Sequence, residues 1–150
     1  MLAAMRIKPF AAIRPRPAAA ARVAAVPYDV VDAAEARVLA AGNPDSFLHV
    51  SRPEIDLPDG TDPHDPAVYR QGARALQRLL ASGTLLQEEE ECLYVYRQTA
   101  GDHVQTGLVA CCHIDDYAGG VIRRHEKTRQ DKEDDRTRHT LALKANSGLV

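Results

Sequence analysis

A chain of 150 residues, 45% hydrophobic and with a formal net charge of -2, is long enough for one globular domain and not basic enough to hold DNA by bulk electrostatics. No apolar run approaches the ~20 residues that cross a bilayer, and Pro9, Pro15 and Pro17 break the alanine- and arginine-containing start before a leader-like apolar core can form. A cytoplasmic protein is expected, with Cys92, Cys111 and Cys112 as reduced, mostly buried thiols that lack zinc-site spacing.

In chain order, a proline-interrupted lead-in is followed by a short predicted strand over Val23 to Val26 and a turn at Pro27-Tyr28-Asp29. Asp32 and Glu35 are spaced as a capping box and open a helix that Gly42, Asn43 and Pro44 stop. Phe47 to Ser51 is a compact strand candidate, and Arg52 to His64 is rich in Pro, Asp and Gly, hence loop. Asp65 and Pro66 supply the N-cap and N1 of a helix over Ala67 to Ser82, whose Val68, Ala75, Leu76, Leu79 and Leu80 recur at helical spacing. Leu93 to Gln98 and Val104 to Ile114 form a predicted hairpin around Thr99 to Asp102, and Asp115 to Gly120 is a turn. Thr128 with Asp131 resembles a second capping box, for a helix over Arg129 to Ala145. Strands and helices mixed without strict alternation predict an α+β fold, a mixed sheet with flanking helices.

The chemistry concentrates in Val121 to His139, which holds seven of the nineteen Lys and Arg, five acids and two histidines. On a helix from Arg129, residues Arg129, Lys132 and Arg136 share one face, with His139 a step further along it. Arg123, Arg124, His125 and Lys127 precede that helix at its N-terminus, where free N–H groups also favour an anion. Arginine forks match phosphate oxygens and lysine is a point charge, so Arg124, Lys127 and Arg136 are candidate phosphate-binding residues, to which the resemblance described below adds Thr128 and Arg52. Glu126 and His125, with Glu54, are the candidate acid–base residues. The competing explanation is that Asp131, Glu133, Asp134 and Asp135 trade surface ion pairs with these cations. A second polar cluster, His49 with Arg52, Glu54 and Asp56, follows the strand candidate. No metal site is expected: His113, Asp115 and Asp116 lack a fourth ligand.

IKPF (Ile7 to Phe10), PYDV (Pro27 to Val30), FLHVSRPEIDL (Phe47 to Leu57), YVYRQ (Tyr94 to Gln98), IDDY (Ile114 to Tyr117), RHEKT (Arg124 to Thr128) and DR (Asp135, Arg136) occur in an order that resembles the prokaryotic family called domain of unknown function 1015. The similarity spans Arg6 to Asn146. It implies a longer protein in which this chain, a single domain or an N-terminal fragment, is followed by an Asp-Gly-His-His-Arg motif absent here. It further implies kinship with the ParB and sulfiredoxin-like superfamily of nucleotide-dependent switches and free-serine kinases. On that basis a nucleotide or phosphorylated small molecule is the expected partner, with a nucleoside triphosphate and magnesium as the implied cofactor of a kinase-like phosphotransferase. The alternatives are a non-catalytic nucleotide-sensing or interaction module, or an inactive fragment. Matched by position, His125, Glu126, Lys127 and Thr128 come first, then Arg136, then Arg52 and Glu54, and then Tyr28 and Asp29.

Overall fold

The computed structural model describes residues 4–123 and 128–147. Arg124, His125, Glu126 and Lys127, four of the expected site residues, lie outside the described residues. The fold is α+β, but its strands form two-stranded sheets instead of one mixed sheet. The chain divides into two compact units, each discontinuous in sequence: Met1–Arg14 with Gln87–Lys127, and Pro15–Leu86 with Thr128–Val150.

The first unit holds β1 (Ile7–Lys8), antiparallel to β6 (Cys111–Cys112), and a hairpin of β4 (Tyr94–Ala100) and β5 (His103–Val109). Gly101, at φ 58°, is the first of the two turn residues, so the loop is tighter than the four-residue turn expected from sequence. If the hairpin register continued, Cys92 would face Cys111. The strands splay instead, and a bend at Pro9 fills the mouth: Lys8 pairs with Cys111, and Phe10 exchanges both backbone bonds with Cys92. Tyr94 pins that bend, its ring tilted at 53° against that of Phe10 with centroids 5.0 Å apart, while its hydroxyl accepts from Ala12 N and donates to Phe10 O. Asp115 and Asp116 are not a turn but lie in a short helix, α5 (Ile114–Ala118), capped by His113. Asp116 is buried and accepts Arg6 N at 2.7 Å and Arg6 Nη2 at 2.6 Å, and the Arg6 side chain foremost holds its carboxyl below the usual range. The thiols are unpaired, but Cys92 and Cys112 are exposed, contrary to the burial expected for them.

The second unit is helical around one amphipathic rod. Asp65 caps α4 (Pro66–Ala81) through Ala67 N at 2.7 Å, and Pro66 stands where no amide partner is needed. Its buried face, Val68, Tyr69, Gly72, Ala75, Leu76 and Leu79, packs on α3 (Leu48–Ser51) and α6 (Gln130–Leu143). The core combines Leu76 and Leu79 with Ala19, Val23, Val50, Leu85 and Leu143. A second cluster joins α2 (Ala33–Ala40) to Leu48 and Ile55, and the Asp32–Glu35 capping box closes as the spacing predicts.

Two expected strands are absent, and Ala24 to Val26 has no regular structure. Val23 ends α1 (Ala20–Val23), because the alanine run after Pro17 favours helix and no partner strand lies beside it. Phe47 to Ser51 carries α3: a short apolar run without a neighbouring strand satisfies its own amides, with Ser51 N donating to Phe47 O and Arg52 N to Leu48 O. Strands of two or three residues, β1, β6, β2 (Ile13–Pro15) and β3 (Leu85–Gln87), are too short to show a period.

Candidate functional site

Immediately after α3, Pro53 sets a 3-10 turn over Pro53–Asp56, which Arg37 of α2 holds from outside through the carbonyls of Glu54, Ile55 and Leu57. α6 packs on α4 and reaches the end of α3, just before this turn. His139, 1% exposed, donates from Nε2 to Val50 O at 2.8 Å, and Ser147 Oγ sits 3.5 Å from Nδ1. Since a carbonyl only accepts, the proton is on Nε2. Gly72 makes the approach possible: a Cβ there would stand 2.8 Å from Pro53 Cγ, 3.1 Å from Val50 O and 3.4 Å from His139 Nε2.

Turn and helix enclose a cavity of about 160 Å³. Arg52 and Glu54 line it from the turn, Lys132, Asp135 and Arg136 from α6, and His64 and Tyr69 from the start of α4. Tyr28 supplies a floor: the Arg136 guanidinium carbon stands 4.1 Å above its ring centroid, and Tyr28 O accepts from Arg52 Nη1 at 3.3 Å. Arg136 Nε and Nη2 donate to Asp135 Oδ2 at 3.1 and 2.8 Å, while Asp135 Oδ1 accepts from Tyr69 Oη at 2.8 Å and from His64 Nδ1 at 3.2 Å. Burial disfavours the charged form of Asp135, but the bonds from Arg136 and Tyr69 outweigh it and hold the carboxyl below its usual range. Burial, then the bond to Asp135, pushes the Tyr69 phenol up.

Glu54 is 8% exposed, and its Oε1 lies 2.8 Å from Arg52 Nε. The Arg52 Nε–H is not aligned on that oxygen and is a buried donor without a hydrogen bond among the described residues. Lys132 has no ion-pair partner among the described residues. Three cations, Arg52, Lys132 and Arg136, face two carboxylates, Glu54 and Asp135.

Of the residues expected from sequence, Arg52, Glu54 and Arg136 converge on this cavity, with Tyr28 beneath them. Thr128 is exposed and does not line it, and Asp29 is an exposed turn residue. Thr128 does not cap α6 either: Arg129 is the N-cap, without a side-chain bond, and Asp131 pairs with Arg129 at 2.8 Å. The expected cationic face divides. Lys132 and Arg136 line the cavity, Arg129 is an exposed ion pair, and His139 is buried and neutral because burial pulls its pKa down, partly opposed by its bond to Val50 O. The His49 cluster also divides, since His49 Nδ1 bonds Asp56 at 2.8 Å and Nε2 faces Asn43 O at 3.1 Å, away from the cavity residues. Among the described residues no group of three or more His, Cys, Asp or Glu could hold a metal.

Tyr69, His64, Asp135 and Gly72 are site residues that the sequence reading missed as such. A glycine in the middle of a strongly amphipathic helix was the available signal, because it costs about 1 kcal/mol there unless something approaches closely.

No helix among the described residues is long and apolar enough to cross a membrane. No curated protein and no solved structure matches the chain. The model of the family described as protein of unknown function (DUF1015) matches residues 7–150, nearly the whole chain, and the protein belongs to that family.

Proposed function

We propose that the second unit binds a small phosphate-bearing molecule in the cavity between the Pro53–Asp56 turn and α6. The observation that carries this is the convergence of Arg52, Lys132 and Arg136, from distant parts of the sequence, on one concavity with a surplus of positive charge. Asp135 and Tyr28 fix two faces of Arg136 and leave Nη1 without a partner among the described residues, a preorganised donor. The buried, unbonded Arg52 Nε is the kind of orphan that accumulates at functional sites.

Size narrows the ligand. A cavity of about 160 Å³ holds roughly five waters, below the ~300 Å³ at which pockets for drug-sized ligands begin. A phosphate group with a few further atoms fits, and a nucleotide would have its base and ribose outside. A kinase-like phosphotransferase is the second reading, favoured by Glu54, a nearly buried carboxylate that no aligned donor among the described residues satisfies and that could take a proton from a hydroxyl. Kinship with ParB- and sulfiredoxin-like phosphate binders belongs to this proposal, as does use of a nucleoside triphosphate with magnesium.

Calorimetric titration with orthophosphate and O-phosphoserine tests the binding. Loss of one charge-assisted bond is worth about 1.5–3 kcal/mol, so Arg136→Ala and Lys132→Ala are each expected to weaken binding by ten- to a hundredfold. Unchanged affinity in both variants discards the assignment. Incubation with nucleoside triphosphate, magnesium and serine tests transfer: phosphoserine formed by the wild type and lost in Glu54→Gln supports it, and no product at all leaves a binding module.

A further inference from the structure

The β4–β5 hairpin ends in an open edge. The two-residue loop makes Ala100 and His103 the closing pair, which is a hydrogen-bonded one, so His103, Gln105, Gly107 and Val109 direct their amides and carbonyls at β4. Val104, Thr106 and Leu108 therefore direct theirs outward, and no backbone bond to those groups is formed among the described residues. The side chains are as exposed as the backbone: Val95 is 72% exposed, Leu108 57% and Val104 55%, all on the face of the hairpin that Thr106 shares.

A two-stranded hairpin with an apolar face in water is marginal, and natural edges are blunted by charge, proline or a bulge. β5, His-Val-Gln-Thr-Gly-Leu-Val, contains no proline and no lysine, arginine or acid, and its seven-residue ladder is regular. β4 carries Arg97, and its Tyr94 end is occupied by the Pro9 bend. The undefended edge is β5.

We propose that β5 pairs antiparallel with β5 of a second copy of this chain, about a two-fold axis at Thr106. The occupant follows from the register. Centring on Thr106 sets Val104 opposite Leu108 of the other copy and Leu108 opposite its Val104, so the three residues with free backbone groups meet the same three of the other copy. The same register places the apolar side chains on one continuous face, Val95, Leu108, Val104 and their symmetry mates, across a four-stranded sheet. No like charges are opposed anywhere along it, since His103 meets Val109. An unrelated strand would need its own apolar alternation and neutrality, whereas a second copy supplies both by symmetry. The seam is one strand long, so the dimer is concentration-dependent.

Sedimentation of the full chain across roughly a hundredfold range of concentration tests this. The wild type is expected to move from monomer to dimer. Thr106→Lys places two ammonium groups on the axis and Thr106→Glu two carboxylates, so each variant alone is expected to remain monomeric, while an equal mixture reassociates as a heterodimer. The mixing step also separates repulsion from misfolding. A wild type that is monomeric throughout, a single variant that dimerises like the wild type, or a mixture that stays monomeric overturns the proposal.

Discussion

Gly72 and His139 show how single residues decide whether the cavity exists. Alanine at position 72 gains about 1 kcal/mol of helix propensity, but its methyl group meets a proline ring and a backbone carbonyl at sub-contact distances, and overpacking of that kind costs about 1–3 kcal/mol. Gly72→Ala is therefore expected to lower the urea midpoint and weaken phosphate binding together, because the turn and α6 are pushed apart. His139 makes the same junction sensitive to pH. Its folded pKa is lowered by burial, so its contribution is complete above the ordinary histidine value near 6.5 and fades as pH falls below it toward the depressed folded value. Urea unfolding between neutral pH and mild acid should show stability declining on acidification. His139→Gln, which can still donate to Val50 O, should flatten that decline, and an equal slope in both proteins would exclude His139 as its source.

At the scale of elements, the same apolar residue type has opposite consequences in the two units. Leu79 of α4 is 1% exposed in the core, and Leu79→Ala is expected to cost about 2–5 kcal/mol. Leu108→Ala in β5 should change the stability of the dilute monomer by less than about 0.5 kcal/mol. Asp32→Ala removes half of the capping box and should cost about 1 kcal/mol, visible as faster amide exchange at the start of α2. Elements whose stop and start signals are local were legible in the sequence: Asp32 with Glu35, Asp65 with Pro66, and the glycine turn of the hairpin all stand where spacing puts them. Phe47 to Ser51 was misread because an apolar pentapeptide has the same pattern in a strand and in a buried helical turn. The site was legible in part. Arg52 and Arg136 could be named as phosphate-type residues and Glu54 as a base from their chemistry, but which face of α6 turns inward depends on His139, Gly72 and Val50, contacts that no local pattern encodes.

The molecule as a whole is two interleaved pieces, and the cavity belongs wholly to one of them. A variant that loosens the first unit, such as Asp116→Asn, which removes the charge that Arg6 grips from its backbone and side chain, should leave phosphate affinity in the second unit unchanged while raising amide exchange around Ile7 and Cys112. Affinity that falls in parallel would show that the units do not act independently. The interleaving also imposes an order on biosynthesis. Every apolar residue of α4 leaves the ribosome before α6 exists, so the Val50 carbonyl waits without its partner until His139 emerges 89 residues later. For that interval the face of α4 that packs on α6 in the finished protein lacks that cover, so a nascent chain halted before Gln130 is expected to be cut faster within α4 by a protease than one halted after Leu143.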